Sequence, residues 1–110
     1  CCLGVLGGMA ATVENLVHLK HMLPEGSTWS AFGIGKGHLP IMYATLAMGG
    51  HLRVGLEDNV VYGYDEDGKK ILATNQMLVQ RAVDAVKTFG KQPATSAEAR
   101  EILGIKPLVR

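Results

Sequence analysis

Gly49-Gly50-His51-Leu52-Arg53-Val54-Gly55-Leu56-Glu57-Asp58-Asn59 opens on a glycine turn, alternates apolar and other residues, and closes on three polar ones. Alternation at period two predicts a strand over 51–57. His51, Arg53, Gly55 and Glu57 would share one face, and Leu52, Val54 and Leu56 the other. The aliphatic face suits flanking helices, which leaves an arginine and a glutamate facing a sheet or barrel interior. Burying such charges costs about several kcal/mol each unless they are paired or bind a metal. The strand therefore reads either as a satisfied structural ion pair or as part of a site. In α/β folds ligands bind at the C-terminal ends of strands, where Glu57-Asp58-Asn59 stands. Two neighbouring carboxylates there suit a metal ligand beside a base.

Two earlier segments have the same rhythm of apolar run, glycine turn and helix-period stretch. Cys2-Leu3-Gly4-Val5-Leu6 precedes Gly7-Gly8 and a helix from Thr12, its N-cap, to Leu23, stopped by Pro24. Thr28-Trp29-Ser30-Ala31-Phe32 precedes Gly33-Ile34-Gly35-Lys36-Gly37 and a helix near Leu39 to Met48. After 51–57 comes a long connection to about Ala73, in which Asp65 to Lys70 reads as an exposed turn. Thr74 caps a further helix with a stripe of Leu78, Val79, Ala82, Val83 and Val86, ending at Gly90. Thr95-Ser96-Ala97-Glu98 is a capping box for a last helix presenting Ala99, Ile102 and Leu103, and closing at Gly104.

Strands alternating with helices predict an α/β fold with a parallel sheet. Three parallel strands make a poor free-standing sheet, because such sheets are normally covered on both faces. A closed (β/α)8 TIM barrel needs about 250 residues, and the chain has 110. The pattern therefore fits the C-terminal three βα units of a TIM barrel, about strands 6–8, plus closing helices. On that expectation residues 1–110 are the C-terminal portion of one domain, the N-terminal strands being absent. The abrupt Cys1-Cys2 start without a Met agrees with this. The competing reading is a small three-stranded module that self-associates.

Composition narrows the partners. Eleven Lys+Arg against ten Asp+Glu leave a formal charge of +1, which gives no electrostatic ground for a nucleic-acid or anionic-membrane surface. Apolar residues at 47% and charged ones at 19% favour a well-buried domain over disorder. The uncharged stretch from Cys1 to Val13 is shorter than the roughly 20 residues of a spanning helix. The two adjacent cysteines build no disulfide framework, which points to a reducing, cytoplasmic setting.

Gly35, Lys36 and Gly37 form a weaker candidate, since backbone N–H groups and a lysine at a helix start can cradle a phosphate. A flexible turn explains them as well. His18 and His21 read as a solvated helix-surface pair, and His51 lies at the wrong end of its strand. His38, beside the loop after the second strand, is better placed for function. Cys1 and Cys2 have no activating neighbour. Trp29 and Phe32 read as core, and Met9, Met22, Met42, Met48 and Met77 as packing.

The run from Gly49 to Asn59 resembles the C-terminal signature of the β-keto acid cleavage enzymes. The resemblance extends to Gly7-Gly8-Met9 with Thr12 to Leu16, to Trp29 through Gly37, to Asn75 with Leu78-Val79, and to Pro93 through Leu103. It implies a zinc-dependent TIM barrel that exchanges acyl groups between a β-keto acid and acetyl-CoA, giving acetoacetate and a new acyl-CoA. It further implies Glu57 as a zinc ligand, Asp58 as the catalytic acid/base and Arg53 as the arginine supporting that base. The family's remaining zinc ligands form a His-x-His pair, which this sequence lacks. The chain alone is thus expected to bind zinc weakly and to be inactive, and the complete protein to form a homo-oligomer. The readings set against this enzyme are a non-catalytic module binding a phosphorylated ligand through Gly35, Lys36 and Gly37, and another metal-dependent, aldolase-type barrel enzyme.

Overall fold

The computed structural model describes residues 1–106, so the last four residues of the expected 1–110 unit lie outside it. Three strands, β1 (Cys2–Leu3), β2 (Ser30–Gly33) and β3 (His51–Leu52), form a parallel sheet in chain order. Cys2 pairs with Phe32 and Leu3 with Gly33, while Ser30 pairs with His51 and Ala31 with Leu52. Helices α1 (Val13–His21) and α2 (His38–Ala47) are the crossovers. A hairpin of β4 (Val61–Tyr64) and β5 (Lys70–Leu72), then α3 (Asn75–Thr88) and α4 (Ser96–Leu103), complete the mixed α/β chain.

Local chemistry accounts for the helix starts. Thr12 Oγ1 accepts from Asn15 N–H at 3.2 Å, and Thr74 Oγ1 does the same for Met77. Both halves of the capping box at Thr95 and Glu98 are made. In α2 the cap is Gly37, which offers no side chain, and Pro40 falls in the first turn, where its missing N–H costs nothing.

The core has two parts. Leu3, Leu16, Ala31 and Ile41 pack between the sheet and the first two helices. Met42, Leu46, Ala82 and Ala85 join α2 to α3, with Leu52, Val54 and Val86 against them. Leu78 is also buried on α3. The predicted stripe is therefore rotated: Leu78, Ala82 and Ala85 face inward, and Val79 is half exposed. Trp29 packs partly buried on the first cluster, and Phe32 is only half buried, so neither is a true core residue.

Two further expectations are corrected. The connection to Ala73 is not irregular, since it holds the β4–β5 hairpin around the turn at Asp65–Lys69. The third strand does not run to Glu57. It stops at Leu52, although β2, its neighbour among the described residues, runs two residues past the Ala31–Leu52 pairing to Gly33. Beyond it the chain folds back, with Asp58 and Asn59 N–H groups donating to the Gly55 carbonyl at 3.1 and 3.2 Å.

Candidate active site

The turn after β3 changes which charge is buried. Arg53, Gly55 and Glu57 do not share a strand face. The side chains of Arg53 and Glu57 are 47% and 84% exposed, whereas Asp58 is 6% exposed. Arg53 reaches across the turn: Nε donates to Asp58 Oδ2 at 3.0 Å, and Nη2 to Asp58 Oδ1 at 3.1 Å and Glu57 Oε2 at 3.0 Å. The two parallel bonds to Asp58 are the strong, orientation-fixing form of the pair. The guanidinium carbon lies 4.5 Å over the Phe32 ring, a cation–π contact that fixes its far side. The cost of burying charge thus falls on Asp58, and Arg53 compensates it. The Asn75 Oδ1 on α3 braces the same turn by accepting from Leu56 N–H at 2.9 Å.

Asn59, quoted in the signature but given no role there, turns out to latch the loop. Its Oδ1 accepts from Gly35 N–H at 2.8 Å, and its Nδ2 donates to the Gly33 carbonyl at 2.9 Å. These backbone partners fix the amide's orientation. The same Nδ2 meets His38 Nδ1 at 3.2 Å, a contact in which Nδ1 accepts when the neutral ring carries its hydrogen on Nε2. Burial holds His38 below its ordinary protonation range, and the nearby Arg81 charge adds to this. The Gly33 carbonyl and Asp58 pull the other way and do not prevail.

Of the sequence-predicted residues, Arg53, Glu57 and Asp58 therefore converge. Gly35 stands next to them through Asn59, but its N–H is already spent on that side chain. Lys36 and His38 line a cavity of about 530 Å³ together with Asp58, Tyr62 and Arg81. Arg81 escaped the sequence reading because it sits between apolar positions of an ordinary helix, and only the fold brings it to the cavity. Among the described residues no three of His, Cys, Asp and Glu come together as a metal would require. Glu57, the residue expected to hold zinc, is exposed and lies 3.0 Å from Arg53 Nη2.

A model of the β-keto acid cleavage enzyme family matches residues 1–105. The 3-keto-5-aminohexanoate cleavage enzyme of Fusobacterium nucleatum is 43% identical over 99 residues, covering 89% of this chain and 35% of that protein. Its namesake from Acetoanaerobium sticklandii is 42% identical over 103 residues, covering 94% and 36%. The 3-oxoadipate:acetyl-CoA acetyltransferase of Cupriavidus necator is 34% identical over 106 residues, covering 94% and 36%. The chain spans about a third of the length of these curated relatives. With nearly every described residue inside the match, the signature turn included, the chain belongs to the β-keto acid cleavage enzyme family.

Proposed function

We propose that this chain supplies the acid–base part of an enzyme that exchanges acyl groups between a β-keto acid and acetyl-CoA. The products are acetoacetate and a new acyl-CoA. The observation that carries the reading is the bidentate clamp of Arg53 on the buried Asp58, in a chain of this family. The relatives' names supply the substrate classes: a 3-keto acid in one case, and acetyl-CoA in another.

In this reading Asp58 takes a proton from C2 of the β-keto acid, and the resulting carbanion attacks the acetyl thioester, releasing CoA thiolate. The thiolate adds to the C3 carbonyl, the C2–C3 bond breaks, and Asp58 returns the proton to the departing acetoacetate carbon. Arg53 fixes Asp58 with one lone pair of each oxygen engaged and another free to take the proton. The same guanidinium offsets negative charge as it develops. Glu57 would serve as one carboxylate ligand of a zinc ion whose other ligands come from outside the described residues. Such an ion, when bound, supplies Lewis-acid stabilisation of negative charge on the keto acid's oxygens.

The three parallel strands are consistent with part of a (β/α)8 barrel, and we assign them to its C-terminal portion. Two unpaired cysteines suit a reducing cytoplasm, and no described helix is long and apolar enough to cross a membrane. A homo-oligomer is the assembly expected of the complete protein. The decisive test is acetoacetate formation by the complete protein with acetyl-CoA and a panel of β-keto acids. Asp58→Asn is expected to lower kcat by about 10²–10⁴-fold while the fold is retained. Full activity in that variant would remove Asp58 from the reaction.

A further inference from the structure

The Arg53–Asp58 clamp stiffens its turn without placing it. The guanidinium bonds to the Glu57 and Asp58 carboxylates, and the Asp58 N–H donates to the Gly55 carbonyl at 3.1 Å. Each of these bonds begins and ends within the segment 53–58, so the turn can shift as a unit with the clamp intact. The contacts that leave the turn are what fix the Asp58 carboxylate against the rest of the molecule.

Both ends of the turn are held. Arg53 lies on the Phe32 ring and Val54 packs against the α2–α3 core, while the Asn59 amide is tied to Gly33, Gly35 and His38. The middle is different, because Leu56 is exposed and gains little from packing. From Gly55 to Asp58, one hydrogen bond leaves the turn among the described residues: Leu56 N–H donates to Asn75 Oδ1 at 2.9 Å. A backbone N–H can only donate, so this bond sets which way the Asn75 amide points. Asn75 stands on a firm base as the first residue of α3. Thr74 caps that helix by accepting from Met77 N–H at 3.2 Å, and Leu78, Ala82 and Ala85 seat it in the interior.

We propose that Asn75 is a positioning residue for the acid–base step: by holding the Leu56 N–H it fixes the middle of the turn, and with it Asp58, relative to α3 and the sheet. The proposal rests on the reading of Asp58 as the group that moves the proton. A reacting group misplaced by about 1 Å can lose on the order of a hundredfold in rate, so one bond at the middle of the turn can matter to the chemistry without touching substrate.

The test compares the complete protein with Asn75→Ala, Asn75→Asp and Thr95→Ala, the last removing a similar single bond, to Glu98 N–H, on α4. Steady-state kinetics with acetyl-CoA and a β-keto acid, and amide hydrogen–deuterium exchange, are read on each. Asn75→Ala should lower kcat by about 10–100-fold and leave KM nearly unchanged, the mark of lost placement rather than lost binding. The aspartate keeps an acceptor oxygen at the same reach and suits the first turn of a helix, so it should restore most of the lost kcat. Thr95→Ala should lower stability and leave kcat as in wild type. The Gly35 amide, held by Asn59 and not by Asn75, should exchange about threefold faster or more in Asn75→Ala as the freed turn loosens its latch. Wherever wild type turns over a β-keto acid, kinetics decide: wild-type kcat in Asn75→Ala, or a loss that the aspartate does not repair, would overturn the proposal. If wild type turns over none, the acid–base reading fails by itself, and the Gly35 amide decides whether Asn75 places the turn, unchanged exchange overturning it. Should Asn75→Ala not fold, Asn75→Gln, which carries the acceptor one methylene too far, replaces it in both measurements.

Discussion

Asn59 holds the site together through three contacts, to Gly33, Gly35 and His38, and the last depends on His38 staying neutral. A protonated ring would aim a second N–H at the Asn59 amide hydrogens. The groups around the ring are the Arg81 charge, the Asp58 carboxylate, the Gly33 carbonyl and Asn59. His38 is held below its ordinary value of 6.5, so below that pH the unfolded chain binds a proton that the folded one refuses. Stability is therefore expected to fall as the pH drops through 6.5 towards the folded-state value. Urea unfolding of the complete protein at pH 7.5 and 5.0 measures it, and His38→Asn should lose less stability on acidification than wild type. An equal loss in both would mean that other groups carry the pH dependence. The sequence exposed Arg53, Glu57 and Asp58 as candidates, because charges in an apolar alternation demand an explanation. It assigned the buried position to the wrong carboxylate, since side-chain alternation does not announce the turn that the Asp58 and Asn59 N–H bonds to the Gly55 carbonyl close.

At the scale of elements, caps were the most legible features. Thr12, Thr74 and Thr95 each cap the helix that their spacing announced, because a cap is a local hydrogen bond within three residues. Strand length was not legible, because pairing depends on backbone hydrogen bonds that the strand's own alternation does not set. The hairpin at β4–β5 was hidden for a related reason: its strands are short, largely exposed and without a clear apolar face. The junction between α2 and β3 shows how closely the elements approach. A Cβ on Gly50 would lie 2.7 Å from Trp29 ring carbons and 2.8 Å from Thr45 Cγ2. Gly37 has the same constraint, since a side chain there would run into Ala11. Gly50→Ala is expected to destabilise the protein by about 1–3 kcal/mol through overpacking, measured by the denaturation midpoint. An unchanged midpoint would show that the Trp29 ring can swing aside at little cost.

For the whole molecule, the parallel order β1-β2-β3 positions the loops after β2 and β3 side by side, which is why the Gly33–His38 segment and the Arg53–Asn59 turn can share one latch. Among the described residues no three His, Cys, Asp or Glu side chains converge. Zinc titration of the 110-residue chain is accordingly expected to show weak, non-stoichiometric uptake, whereas the complete protein should bind zinc and lose affinity in Glu57→Gln. Tight one-to-one binding by the 110-residue chain would place a full ligand set within it and contradict this account. The sequence by itself determined the alternation of strands and helices, the helix caps and the family signature, because each is written in local spacing. Only the tertiary structure decided that Asp58 is the buried acid, that Asn59 ties two loops, and that His38 and Arg81 line one cavity. Those facts depend on the approach of segments about 20 to 45 residues apart, which packing and backbone hydrogen bonding set and no local pattern encodes.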